Sequence, residues 1–306
     1  MKKPVIMLLV TGALAAGYVA LQSHMNQVVD EKLQTQLAIA VEDSGMQFDY
    51  ADASVNMFNG NIVVNGLMVS DPQGVSAFGI EEIVLIGYEE ESISEFTQVN
   101  IHGFSLFEAI KNNSLDTPKP LLDAKYDFST SLAFDAETGY SQLKLALAAH
   151  NIAQFDFDME LNNSGPLMDV SFDMQKQQSV AALTVEEQLQ IQTKLMGAMQ
   201  QLVPKSLQLQ IENKGQLAQL LDDQVAMAGL DQVSFENMLQ MQLTQAPLPQ
   251  IAKDAIVAFV QGKESLHVSV SLPGDSDIQT VSQHVMSLAE QPEELAKLMN
   301  LEVHGK

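Results

Sequence analysis

The sequence predicts an α+β fold: an N-terminal transmembrane helix, then an antiparallel β-sheet packed with several helices. Three observations carry that expectation. Residues 4–21 form an uncharged, largely apolar run directly after Lys2 and Lys3. Between about 46 and 174 apolar and polar residues alternate in short segments separated by Gly, Asn, Asp and Pro, the signature of strands and turns. From about 182 onward the apolar spacing widens to that of helices, and glutamine becomes frequent.

The apolar run holds 18 residues. At 1.5 Å per residue it reaches ~27 Å, close to the ~30 Å hydrocarbon core of a bilayer. The two lysines before it, with no further positive charge until Lys32, place the N-terminus in the cytoplasm. A cleaved signal peptide is the competing reading, because Ala13-Leu14-Ala15 has the small-x-small pattern of a cleavage site. Retention is favoured by the apolar residues Val19, Ala20 and Leu21 beyond that site and by the helical pattern that follows directly. Both readings put the body outside the cytoplasm. In a two-membrane bacterium that is the periplasm, and with the run retained the protein is single-pass in the inner membrane.

Residues 22–44 read as a helical stalk, with Val28, Val29, Leu33, Leu37 and Val41 near helical spacing. The body, 45–306, begins with a hairpin-rich part over 45–110. Phe48 and Tyr50 open it, and Asn59-Gly60 predicts a two-residue hairpin turn into a strand over 62–70. A strand over 80–88 carries Ile83, Val84, Leu85 and Ile86 in succession, which suits burial on two faces. A fourth strand is expected over 100–106.

A four-stranded meander is expected over 125–174. Tyr126, Phe128, Leu132 and Phe134 alternate with polar residues, followed by Leu143, Leu145 and Leu147, then Phe155, Phe157, Met159 and Leu161, then Met168, Val170, Phe172 and Met174. A helical segment spans 182–262. It opens on Thr184-Val185-Glu186-Glu187, a capping-box pattern, and one alternating strand at Leu207, Leu209 and Ile211 interrupts it. Over 264–306 a closing strand at 266–272, two helices (the last entered through Pro292) and a short strand at 301–304 complete the chain.

Composition excludes several functions. The net charge is −24, the 15 basic residues are all lysine, and there is no cysteine. Nucleic acid is an unsuitable partner, since phosphate contacts need Lys and Arg. Disulfides, thiolate metal sites and Cys nucleophiles are ruled out. No Gly-x-Ser-x-Gly, His-Glu-x-x-His or phosphate-binding glycine loop occurs, and the six histidines are scattered. The expectation is therefore a non-enzymatic protein without a cofactor. Asp156, Asp158 and Glu160 on one strand face, with Asp169 and Asp173 on the next, form the sole suggestion of a metal site, because a hard cation would relieve like charges facing each other. The bland alternative is a solvated acidic face.

The apolar faces carry the sharper idea. Phe128, Leu132, Phe134, Leu143, Leu145, Phe155, Phe157, Met159 and Phe172 form one broad apolar surface. Either the later helices close over it as a core, or part of it stays open as a groove for an acyl chain or another lipid-like ligand. The glutamine-rich helices offer an alternative function, a docking face for an envelope protein partner, as in an assembly factor or chaperone. The 16 methionines suit either use.

Three stretches resemble the AsmA-related, YdgA-like single-anchor envelope proteins: MQFDYADASVNMFNGNIVVNGLMVSDPQG after the stalk, FDAETGYSQLKLALAAHNIAQFDFDMELNNSG in the meander, and SLHVSVSLPGDSDIQTVSQHVM with PEELAKLMNLEVHG at the end. The resemblance implies a curved, groove-forming sheet, attachment to the inner membrane through 4–21, and a role in envelope biogenesis or lipid handling. It supplies no catalytic residues.

Overall fold

The computed structural model describes residues 29–31, 33, 34, 37, 38, 41, 45–56, 58–89, 92–113, 117–178, 185–272, 274 and 276–306. The expected anchor over 4–21 and its alternative cleavage site lie outside the described residues. Among the described residues no helix is long and apolar enough to cross a membrane. In the stalk region the described residues from Val29 to Val41 are helical, and Val29, Leu33 and Leu37 are half-buried on one side. The Tyr50 hydroxyl donates to the Asp30 carboxylate at 2.6 Å and ties this helix to the strands that follow.

The fold class is α+β with antiparallel pairing throughout the register given below. The chain divides into two compact units, residues 1–88 with 98–117, and 89–97 with 118–306.

The first unit holds β1 (Gln47–Asp49), β2 (Asp52–Val55), β3 (Ile62–Ser70), β4 (Ser76–Ile86) and most of β5 (Phe96–Leu106), followed by helix α1 (Glu108–Asn113). Both β1 and β2 pair with β3, which pairs with β4, and β4 with β5. Between β1 and β2 the register against β3 runs on unbroken, with Ala51 opposite Gly66, whose φ of +65° favours glycine. The β2–β3 hairpin differs from the two-residue turn expected from Asn-Gly. Asn56 N–H donates to the Asn61 carbonyl, and Gly60 N–H reaches back to the Asn56 carbonyl, so the loop is longer. Asn56 and Asn59 each accept a backbone N–H two residues on, and these side-chain turns compete with the tight hairpin.

The second unit contains β6 (Tyr126–Asp135), β7 (Tyr140–Ala149), β8 (Ala153–Asn162), β9 (Val203–Asn213), β10 (Ser265–Ser271) and β11 (Glu302–Gly305), paired in chain order. Its helices are α2 (Lys119–Asp123), α3 (Gly165–Gln178), α4 (Val185–Gln200), α5 (Leu217–Met227), α6 (Gln232–Gln245), α7 (Gln250–Gly262), α8 (Ile278–Ser287) and α9 (Pro292–Leu298).

One expected strand is a helix. Met168, Val170, Phe172 and Met174 lie on α3, so the meander ends at Asn162 and β9, not 168–174, continues it. The cause is local. Pro166 sits in the first turn, where its missing N–H leaves no helical bond unmade. The seven-residue alternation also reads at helical spacing as Leu167, Val170 and Met174.

Helix α7 lies over β10 and β11. Ala252 and Ala255 pack against Val303, Leu266, Val268 and Leu301. The approach is so close that a Cβ on Gly305 would come within 1.9 Å of the Ala255 carbonyl oxygen. A second buried cluster, Ala124, Ala149, Ile152 and Leu220, brings α5 onto one end of β6–β8 beside Leu121, Tyr126 and Ala153.

Candidate functional site

Residues directly opposite each other in neighbouring strands share a face, so the register of the second unit can be read as rows across the sheet. One row is Phe128, Leu147, Phe155, Ile211 and Leu266. The next is Thr130, Leu145, Phe157, Leu209, Val268 and Val303. The third is Leu132, Leu143, Met159, Leu207 and Val270. Seven of the nine sequence candidates thus fall into three consecutive rows. Phe134 lies on the same face beyond them, opposite Ser141. Phe172 is the exception: it is half-buried on α3, which packs against α4, and is not part of the strand surface.

Burial along the strip is uneven. At one end Phe134, Ser141 and Leu161 are buried, and at the other Ala149 and Ile152 are. Val303 is buried under α7. Between these margins the surface stays accessible among the described residues: Phe128 retains 40% of its exposure and Leu145 38%. Leu132, Leu143, Phe155, Phe157 and Met159 are half-buried. Leu207, Leu209 and Ile211 extend all three rows. Their alternation was visible in the sequence, but their place beside β8 was not, because 40 residues separate the partners Asn162 and Val203.

The opposite face is polar, and its acidic groups have partners. The Gln142 side-chain amide donates to both Asp158 oxygens at 3.0 Å, and Lys144 lies 3.5 Å from the same carboxylate. Gln154 donates to Asp156 at 2.9 and 3.0 Å. The Tyr140 and Ser206 hydroxyls donate to Glu160 at 3.1 and 2.9 Å. Burial, then the Glu160 carboxylate, raises the Tyr140 pKa, so that hydroxyl stays a donor. Asp169 and Asp173 are on α3 and not on a strand beside β8, which removes the cross-strand repulsion that suggested a cation. Among the described residues no group of three or more His, Asp or Glu is arranged to hold a metal ion.

A feature the sequence reading missed lies among the helices. Leu221 and Val225 of α5, Phe235 and Met238 of α6, and Phe259 and Val260 of α7 line a cavity of about 260 Å³. Lys263, the left-handed residue ending α7, also borders it, with Asp222 as its ion-pair partner. No sequence signal marks it, since each helix contributes only two apolar residues.

A protein family described as "Uncharacterized protein" matches residues 146–306. Comparison with curated proteins gives no match to the chain.

Proposed function

The chain belongs to that family of uncharacterized proteins, and we propose that it is a non-enzymatic, membrane-anchored envelope protein that holds an elongated apolar molecule, most simply an acyl chain, along the strip on β6–β9. The observation that supports this reading is the accessibility of Phe128 and Leu145 at the β6–β7 end of the three apolar rows. A strand advances about 3.3 Å per residue and strands lie ~4.8 Å apart, so three rows by four strands offer roughly 14 Å along each strand and ~14 Å across. Each methylene transferred from water onto that surface contributes about 0.8 kcal/mol when fully covered. The anchor over 4–21, the periplasmic body and a role in envelope biogenesis rest on the lysine-flanked apolar run and on the resemblance to AsmA-related proteins.

The test is photocrosslinking in cells supplied with a photoreactive long-chain fatty acid. Crosslinks should map to peptides of β6–β8, and Leu145→Gln should reduce them several-fold while the chain still accumulates. Crosslinks confined to residues 1–28 would leave only membrane contact and defeat the proposal.

A second reading has one observation in its favour. Leu189, Met196 and Met199 on α4 and Met286 on α8 are exposed between 48 and 76%. Flexible methionine surfaces suit adaptable protein binding. Co-purification of a stoichiometric envelope protein, lost on Met196→Lys, would favour that function over the lipid reading.

A further inference from the structure

We propose that the cavity between α5, α6 and α7 is a second binding site, independent of the strip, for a medium-chain amphiphile with an apolar tail and a carboxylate head, the head pairing with Lys263. The cavity measures about 260 Å³. An apolar protein cavity of ~150 Å³ admits benzene, six carbons, so this one has room for roughly ten. Its walls are made by aliphatic and aromatic side chains, among them Val225, Phe235, Met238 and Phe259. Gln224 and Gln232 also border it, but the walls are mainly apolar, and that favours a hydrocarbon tail.

The head group follows from Lys263. Its side chain is 15% exposed, whereas that of its partner Asp222 is 53% exposed. A lysine whose side chain is so largely covered is best served by an anion beside its ammonium. Asp222 now supplies one, which shows that a carboxylate fits against the Lys263 Nζ at the rim of the cavity. Asp222 itself faces solvent and regains water on leaving, so exchange of its carboxylate for that of a ligand keeps Lys263 paired. The lysine is also fixed in place. It ends α7 at φ 53°, its N–H donates to the Phe259 carbonyl at 2.6 Å, and its carbonyl accepts from the Asn213 side chain at 2.8 Å. Its backbone is therefore fixed where the side chain borders a tail-sized apolar space. The net charge of −24 opposes an anionic ligand at long range, but beyond ~10 Å that repulsion is screened at 0.1 M salt.

The experiment is calorimetric titration of the full chain, held in an amphipathic polymer, with decanoate and separately with 1-decanol. Decanoate should bind at least tenfold more tightly than decanol. Lys263→Gln should weaken decanoate at least tenfold and leave decanol within twofold. Asp222→Asn, which removes the internal competitor, should tighten decanoate several-fold, and this variant keeps the test decisive if Lys263→Gln does not fold. Leu145→Gln, which alters only the strip, should leave the Lys263-dependent binding event unchanged, whatever it does to a separate event on the strip. Equal affinity for acid and alcohol, or weaker decanoate binding in Asp222→Asn, overturns the assignment of the head group. Loss of decanoate binding in Leu145→Gln but not in Lys263→Gln places the ligand on the strip and overturns the second site. Absence of binding by either compound overturns the cavity as a site while leaving the photocrosslinking result on the strip untouched.

Discussion

The two ends of the apolar face in the second unit have the same sequence pattern and different fates. At β10–β11 the alternating residues Leu266, Val268 and Val303 meet the small side chains Ala252 and Ala255 of α7, and Val303 is left 6% exposed. At β6–β7 Phe128 and Leu145 alternate just as regularly and remain 40% and 38% exposed. What differs is the covering element. Alanine on a helix lets its axis come close to a sheet, and Gly305 removes the last obstruction. Alternation therefore tells which face is apolar, and the small residues of a distant helix tell which part of that face is closed.

The sharpest way to break this comparison uses one strand. Phe134 and Phe128 are the same residue type on the same face of β6, 7% and 40% exposed. Phe134→Ala should destabilise the chain by about 3–4 kcal/mol, a large-to-small change in a closed site. Phe128→Ala should shift stability by about 1 kcal/mol or less, as expected away from a closed core. Midpoints of urea unfolding with unchanged slope would read both. Equal losses would show that Phe128 is as covered as Phe134, and the strip reading would lose its basis.

The next effect lies at the covered end. Gly305→Ala places a methyl group where the Ala255 carbonyl oxygen stands. It should lower stability by about 1–3 kcal/mol through overpacking. It should also raise hydrogen exchange in α7 and β11 before β6–β8. Uniform loosening of the whole sheet would argue that the two ends are one cooperative unit.

The predicted strands 62–70 and 126–134, the closing strand, the two helices after it and the apolar rows on β6–β8 were all legible, because each has a clear pattern or start signal of its own. The segment 168–174 was not. Four alternations are too few to separate period 2 from period 3.6, and the Pro166 start signal pointed the other way. Nor was the cavity beside Lys263 legible, since it exists only once α5, α6 and α7 pack. The pairing of the acidic strand face was not legible either, because most of its partners, Gln142, Lys144, Tyr140 and Ser206, come from neighbouring strands and only Gln154 lies on β8 beside its acid.

That last point separates the two faces of β8. Asp158→Ala removes the acceptor of the Gln142 amide and the partner of Lys144. The group is partly exposed and its ion pair solvent-screened, so the loss should be about 0.5–1 kcal/mol. Phe157→Ala on the other face should cost about 1–2 kcal/mol, since Phe157 is only half-buried and a full burial is worth ~3. A gain in stability on Asp158→Ala would restore the picture of a mutually repelling acidic strand.

The smallest effect concerns acid and distinguishes the covering helix from its neighbours. Asp231 caps α6 by accepting Ser234 N–H at 2.7 Å, and Asp277 caps α8 by accepting Thr280 N–H at 2.8 Å. Hydrogen bonds from Ser234 and Thr280 hold both carboxyls below their ordinary value of 3.8. A depressed carboxylate pKa stabilises the fold above the unfolded value, and that contribution is lost as pH falls through the lower, folded one. Helix α7 starts differently: its first amide, Gln250 N–H, donates across to Glu293 of α9 at 2.7 Å. Hydrogen exchange, corrected for its intrinsic pH dependence, should therefore show the first turns of α6 and α8 opening below about pH 3.8, where the capping acids gain protons. The Asp231→Asn and Asp277→Asn variants keep a side-chain oxygen acceptor but cannot titrate. Their first turns should show the same protection at every pH in that range. If protection in α7 and β11 is lost first, the closed end of the sheet is the acid-labile one, and the small-residue packing that distinguishes it from the open strip is not what holds it shut.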